Sequence, residues 1–267
     1  MKRFLTLFFM LCLVHTIPSL AFELELAPTV GYRFDKLVTS WAQTANNASG
    51  VLEDTFSYPS LHLAEIGIQG KLWMTPHLYV RGEAKYGSLL SGRYNYLSQS
   101  CKTNGGESWD VDFAAGCLAD LGTHFRIGPE AGWSYDYLSV RIPKTNGGLN
   151  NKNYWESPWI GFAAQFLYEE WSLTTGYQYH WACWEGKWND GQYRFEVNDD
   201  DAHGNFIYAN LDYSFFSYLN VGFEVNYRAF KAKNKTRFVT QTNQPGTRTD
   251  SSSWNSLGMK AILTYTF

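Results

Sequence analysis

The chain has 267 residues and a formal net charge of −3, which is neither basic enough to favour nucleic acid nor acidic enough for a solvating tail. Aromatic residues make up 18% of it and charged residues also 18%, below the roughly 25% of ordinary soluble domains. A mean hydropathy of −0.33 excludes a helical membrane protein. It favours strands that alternate between an apolar side facing lipid and a polar side.

Residues 1–21 have the pattern of a secretory signal peptide. Lys2 and Arg3 precede an apolar run at 4–14, and Ser19-Leu20-Ala21 offers small residues for cleavage. The run is too short to span a bilayer, and no later stretch approaches the ~20 apolar residues of a membrane helix. We therefore expect a signal peptide at 1–21 and one domain at 22–267, which can cross a membrane only as a closed barrel.

Ten alternating runs follow, arranged as five hairpins. They lie at about 22–38, 58–73, 77–93, 109–121, 126–142, 154–168, 171–183, 203–216, 219–228 and 257–267. Short turns at 74–76, 122–124, 168–170 and 216–218 alternate with long connections at about 39–57, 94–107, 143–153, 188–202 and 238–252. This layout predicts an all-β fold, a ten-stranded antiparallel transmembrane barrel of up-and-down topology, with short periplasmic turns and long extracellular loops.

The last run alternates most clearly. Leu257, Met259 and Leu263 share one face with Tyr265 and the terminal Phe267. A terminal aromatic on such a strand resembles the signal by which bacterial outer-membrane barrels are recognised for assembly. We therefore expect Tyr265 and Phe267 to form an assembly signal, with outer-membrane lipid and the barrel-assembly machinery as partners.

Charged side chains of both signs occupy the polar faces of the runs. In a barrel these polar faces are expected to line the lumen. These are Glu65, Lys71, Arg81, Glu83, Lys85, Asp110, Asp112, Asp120, Glu130, Asp136, Asp212, Glu224, Arg228 and Lys260. Buried charges must be paired. The lumen is therefore either a narrow, water-lined pore for small solutes or a cross-linked, closed interior.

Other site signals are few. Lys231, Lys233, Lys235 and Arg237 form a basic run that either contacts lipopolysaccharide phosphates or makes a solvated rim. The cysteine spacing does not suggest a metal site, and no phosphate-binding loop or nucleotide fingerprint occurs. We expect no metal, no cofactor and no nucleic-acid partner.

The ten-strand plan with tall hairpins resembles the omptins, a family of outer-membrane proteases. The similarity is carried by the stretch Ser157-Pro158-Trp159-Ile160-Gly161-Phe162, by Tyr168-Glu169-Glu170-Trp171, Gly176 and Trp181, and by the closing Leu263-Thr264-Tyr265-Thr266-Phe267. The resemblance implies an Asp-x-Asp pair and an Asp-x-His pair on opposite rims. The matching positions are Ser98-Gln99-Ser100 and Trp188-Asn189-Asp190, which lack three of the four groups.

The chain is therefore not expected to be an enzyme, and no catalytic residue is assigned. Asp110 and Asp112, and Asp201 and His203, have the required spacings but lie elsewhere in their hairpins. The plan without catalytic groups also resembles the Protochlamydia outer membrane proteins, some of which are regarded as porins. The leading hypothesis is a porin-like outer-membrane barrel. The alternatives are a non-conducting structural or adhesive surface barrel and an omptin-type protease with displaced catalytic residues.

Overall fold

The computed structural model describes residues 22–45, 51–96, 99–103, 105–143, 148, 150–189, 194–239 and 245–267. The predicted signal peptide lies outside these residues. The strands are β1 (Glu23–Ala45), β2 (Val51–Trp73), β3 (Leu78–Tyr96), β4 (Gln99–Lys102), β5 (Gly106–Cys117), β6 (Ala119–Asp120), β7 (Phe125–Arg141), β8 (Asn150–Tyr168), β9 (Trp171–Asn189), β10 (Arg194–Phe216), β11 (Leu219–Val239) and β12 (Pro245–Thr266). Within these ranges no helix is long and apolar enough to cross a membrane.

Ten of these strands form a closed antiparallel barrel, which confirms the predicted fold. Each long strand pairs with its neighbours in the chain, and β1 closes the ring by pairing with β12. The two short strands are additions, because β4 pairs with β3 and β6 pairs with β7. Where β8 ends at Tyr168, a two-residue turn with Glu169 at a φ of 52° leads directly into Trp171.

The period of two arises because lipid surrounds the lower part of the barrel. On β12, Leu257, Met259 and Tyr265 are exposed, while the alternate residues Lys260 and Ile262 are buried. Exposed apolar side chains recur at this level around the barrel and form the lipid-facing belt.

The long connections are mostly strand, so the predicted extracellular loops are too long. β1 runs to Ala45 and β2 begins at Val51, β9 and β10 approach to Asn189 and Arg194, and β11 and β12 approach to Val239 and Pro245. The alternation pattern underestimated the strand lengths for a physical reason. Above the membrane the outer face of the barrel meets water and no longer needs apolar residues. The alternation therefore fades there, while the hydrogen-bond ladder between the strands continues. Since β2 has 23 residues and spanning takes only about 9–11, the barrel stands about 30 Å above the membrane.

Asp120 is the one predicted lumen charge that lies outside the lumen. β5 ends at Cys117, and Leu118 turns inward with 2% of its surface exposed. This break shifts the alternation, so that Asp120 lies at the periplasmic turn and pairs with Arg126 at 2.8 Å.

Candidate functional site

Arg33 is the centre of a buried ion-pair network inside the barrel. Its Nε lies 3.1 Å from Asp35 Oδ2, and its Nη1 lies 2.8 Å from Glu65 Oε1 and 2.6 Å from Asp110 Oδ2. Arg33 is 2% exposed. Because β1 and β5 are three strands apart around the ring, the pair with Asp110 joins separate parts of the barrel wall.

Arg228 joins opposite walls. It stands on β11 and forms an ion pair with Asp136 on β7, and its Nη1 lies 3.8 Å from Asp110 Oδ1 on β5. β5 and β11 are five strands apart in a ring of ten. The side chains of Arg228 and Asp110 therefore meet across the bore.

Two lysines extend the network to the remaining carboxylates. Lys260 Nζ lies 2.6 Å from Glu83 Oε1 and 3.2 Å from Glu224 Oε2. Lys85 Nζ lies 3.6 Å from Asp110 Oδ2 and 4.0 Å from Glu83 Oε2. We name the connected set the ion-pair layer: Arg33, Asp35, Glu65, Glu83, Lys85, Asp110, Asp136, Glu224, Arg228 and Lys260.

A second ionic group lies below this layer. Arg81 Nη1 is 2.8 Å from Asp112 Oδ1, and Arg81 Nε is 3.3 Å from Glu130 Oε1. The same carboxylates accept hydrogen bonds from aromatic side chains: Tyr79 Oη donates to Glu130 at 2.5 Å and Trp159 Nε1 donates to Asp112 at 2.9 Å. Each charge thus has a partner from another strand, as burial requires.

Beneath and beside these groups lies a cavity of about 350 Å³, which we name the chamber. Its wall includes Trp73, Leu167 and Ser214, which are within three residues of the periplasmic turns, and it extends up to Asp136 and Arg228. The chamber therefore occupies the periplasmic half of the lumen and ends above at the ion-pair layer.

The floor of the chamber carries Lys71 between aromatic rings. Its Nζ lies 4.0 Å from the centre of the Trp73 ring and 4.4 Å from that of Tyr79. Trp73 Nε1 donates to Glu25 Oε1 at 2.7 Å, and Asn210 Nδ2 donates to Asp212 Oδ2 at 2.6 Å. The floor thus combines cation–π contacts with two hydrogen-bonded carboxylates.

Above the ion-pair layer the lumen is filled by apolar side chains. We name this cluster the apolar plug: Leu37, Tyr58, Leu61, Leu63, Leu89, Tyr94, Leu138, Val140, Ile142, Trp155, Ala182, Trp184, Trp188, Val197, Ala202, Phe230, Ala232 and Trp254. Every long strand except β5 contributes to the plug, and Ile142, directly after β7, also belongs to it. Burial raises the pKa of the Tyr58 phenol above its usual range, so this hydroxyl stays neutral.

Aromatic rings join the plug across the bore. The ring of Trp155 lies 5.1 Å from that of Phe230, although β8 and β11 are three strands apart. Phe230 in turn lies 6.1 Å from Trp254. Both Arg33 and Arg228 place their guanidinium carbon 5.5 Å from the centre of the Trp254 ring. Trp254 therefore links the plug to the ion-pair layer.

A serine–histidine pair lies in the wall at the same height. Ser157 Oγ is 2.9 Å from His180 Nδ1, and His180 Nε2 is 3.2 Å from Gln178 Oε1. Ser157 is fully buried and is not part of the chamber wall. The pair fits a structural hydrogen-bond role better than nucleophilic catalysis, which needs an accessible oxygen.

The structure places the other predicted charged residues on the inside of the barrel. Ten of them line the chamber, namely Lys71, Arg81, Glu83, Lys85, Asp110, Asp112, Glu130, Glu224, Arg228 and Lys260, and Glu65 meets Arg33 above it. Asp136 and Asp212 also line the chamber. Tyr265 and Phe267 are exposed at the periplasmic end of β12.

Sequence reasoning missed Arg33, Asp35 and the apolar plug. A signal was present for the two charges, because they alternate with Tyr32 and Phe34 within a predicted strand. The sequence also holds a signal for the plug. Leu63 lies on the same side of β2 as Glu65, so the inward face changes from polar to apolar along one strand.

The two displaced pairs lie in different parts of the barrel. Asp110 and Asp112 are engaged by arginines inside the lumen, whereas Asp201 and His203 are exposed on β10. Of the positions matched to the omptin pairs, Trp188 is buried in the plug, while Ser98 and Asp190 lie outside the described residues. Within the part of the chain that the structure describes, no group of three or more His, Cys, Asp or Glu could hold a metal ion.

Comparisons with known proteins agree with this architecture. The family model of the Protochlamydia outer membrane protein matches residues 27–267. The outer membrane protease OmpT from Escherichia coli superposes with a TM-score of 0.73 at 14% identity, covering 95% of this chain and 99% of that one. The Pseudomonas aeruginosa FadL homologue gives a TM-score of 0.33 at 9% identity, covering 91% of this chain and 90% of that one. Comparison with curated protein sequences gives no significant match. At 14% identity the likeness to OmpT establishes the fold alone, and a TM-score of 0.33 is too low to establish even the fold for the FadL homologue.

Proposed function

The chain belongs to the Protochlamydia outer membrane protein family, and on that premise we propose that it is a non-conducting surface barrel. Its lumen is closed to solutes, and its tall extracellular half presents a rigid wall above the membrane. The observation that carries this proposal is the apolar plug, whose buried side chains come from nearly all the long strands.

The plug closes the bore because its rings meet across it. Trp155, Trp184 and Trp254 are each no more than 1% exposed, and Trp155 touches Phe230 from a strand that is not its neighbour. Protein interiors packed in this way hold few voids larger than a water molecule. A hydrated ion passing through would have to lose its water against apolar walls, which is strongly unfavourable.

The ion-pair layer forms a second barrier directly below the plug. Arg33 and Arg228 each hold carboxylates from strands on other sides of the barrel. Moving one of these guanidinium groups aside would leave several buried carboxylates without a partner. Breaking a buried ion pair in this way costs about 3–5 kcal/mol, so the lumen does not open readily.

The surface role rests on the height of the strands. The β1–β12 ladder continues to Ala45 and Gly246, far above the lipid-facing belt. Lys231 and Lys233 are exposed on β11 above this belt, and their charge suits lipopolysaccharide phosphates. Tyr265 and Phe267 are proposed to be read by the barrel-assembly machinery. The proposal includes no proteolytic activity.

Porin-like passage of small solutes is the second candidate, and the chamber favours it. The periplasmic half of the lumen is polar and holds a cavity of about 350 Å³. If the plug moved aside, this chamber would become the lower part of a narrow pore. Neutralising Arg81, which lines the chamber, would then change the conductance.

Single-channel current of the refolded protein in a planar bilayer separates the two candidates. We expect no discrete current steps from a barrel whose folding is verified by its heat-modifiable migration on a gel. Discrete steps from wild-type protein would overturn the closed-barrel proposal in favour of a porin. In that case Arg81→Gln should alter ion selectivity, whereas Arg126→Gln, at the periplasmic turn, should not.

A further inference from the structure

We propose that the chamber is a binding site for a small organic cation bearing primary ammonium groups, entered from the periplasm. This inference concerns the lower half of the lumen, and its one-sided entry from the periplasm rests on the closed lumen proposed above.

The lower end of the chamber lies nearest to the periplasm. Trp73 and Leu167 lie in its wall next to the periplasmic turns. Its upper end is formed by members of the ion-pair layer such as Asp136 and Arg228. While the plug and the ion-pair layer stay in place, a solute can enter and leave only at the lower end, as in a binding pocket. A volume of about 350 Å³ is also within the range of small-molecule pockets.

The charge of the chamber wall favours a cation. Eight carboxylates line the chamber against five lysine and arginine side chains. Arg81, Lys85, Arg228 and Lys260 each lie within 4.0 Å of two carboxylates. These four cations are already neutralised, so the surplus of negative charge remains for a ligand.

Two carboxylates on the floor are the least engaged. Glu25 and Asp212 are partly exposed in the chamber wall and accept hydrogen bonds from neutral donors, Trp73 and Asn210. In the part of the chain that the structure describes, neither forms an ion pair with a lysine or arginine within 4.0 Å. Both can therefore accept charge-assisted hydrogen bonds from an incoming ammonium group.

The aromatic rings of the floor already bind one ammonium group of the protein itself. Trp73 and Tyr79 hold the Lys71 ammonium at 4.0 and 4.4 Å from their centres. Phe206 and Tyr208 line the same cavity. A ring face attracts a cation and not an anion. The aromatic part of the wall therefore favours a cationic ligand, as the carboxylates do.

Calorimetric titration of the detergent-refolded barrel at low salt tests the proposal, with 1,4-diaminobutane as the probe. We expect saturable binding of the diamine and none of succinate or 1,4-butanediol, which match its length but carry negative or no charge. Asp212→Asn and Glu25→Gln should each weaken binding about tenfold, the size of one close charge contact in a partly hydrated site. Lys71→Met should tighten it, because this change removes a competing positive charge.

The matched control is Asp120→Asn. Asp120 is also a periplasmic-end carboxylate, but it lies outside the chamber and pairs with Arg126, so its loss should leave the affinity unchanged. Absence of saturable binding to folded wild-type protein would overturn the proposal. So would equal binding of succinate, or an affinity that neither Asp212→Asn nor Glu25→Gln alters. Bilayer current is recorded separately, so failure here and failure of the closed-barrel proposal remain distinguishable.

Discussion

The two halves of the lumen are built on the same strands but from opposite kinds of side chain. On β2, Leu61 and Leu63 point inward in the upper half, whereas Ile66 and Ile68 point outward in the lower half. The surroundings of the wall explain the inversion. Where lipid covers the outside, apolar residues face outward and the interior is left to charges. Where water covers the outside, the interior is the only place where apolar surface escapes water.

The largest effect should come from removing the centre of the ion-pair layer. Arg33→Met leaves Asp35, Glu65 and Asp110 buried without their shared cation. We expect the free energy of unfolding to fall by about 3–5 kcal/mol, measured by urea titration in detergent or lipid. Arg126→Met is the control, because its ion pair is at an exposed turn and should contribute less than about 1 kcal/mol. Equal losses in the two variants would show that the layer is not held by its buried charges.

A cavity in the plug should cost somewhat less. Leu61 is fully buried, so Leu61→Ala is expected to lower the free energy of unfolding by about 2–5 kcal/mol. Leu90→Ala makes the same chemical change at a side chain that is 63% exposed, and it should change stability by about 0.5 kcal/mol or less. If both variants behave alike in the same titration, the upper half of the lumen is not packed as a core.

The smallest effect concerns one hydrogen bond in the lower half. Trp159→Phe removes the donor that Asp112 receives at 2.9 Å, and the expected loss is about 1–3 kcal/mol because the carboxylate keeps fewer partners. Trp133→Phe removes a longer bond of 3.3 Å to Glu156 on the exposed outer face. Thermal unfolding should distinguish the pair, with only the first variant shifted clearly. A larger shift for Trp133→Phe would contradict the assignment.

The sequence predicts the lower half of the molecule better than the upper half. Below the outer membrane surface, alternation places Glu224, Arg228 and Lys260 on the inside, and it also gives the strand number and the turns. Above it, both sides of a strand can carry polar or aromatic residues, so the period of two no longer marks strands and residues 39–45 and 51–57 read as loop. The closure of the bore was not predictable, because which side chains meet across it depends on strand tilt and stagger.

The pairing of the first and last strands has a consequence for the order of assembly. Leu37 of β1 lies opposite Trp254 of β12 in the ladder, and both belong to the plug. These partners are far apart in the chain, so their contact forms late and carries a high loop-closure entropy. The hydrophobic core above the membrane is therefore complete only when the ring closes. Burial of this core then stabilises the pairing of β1 with β12, which makes closure cooperative and keeps the terminal strands from separating.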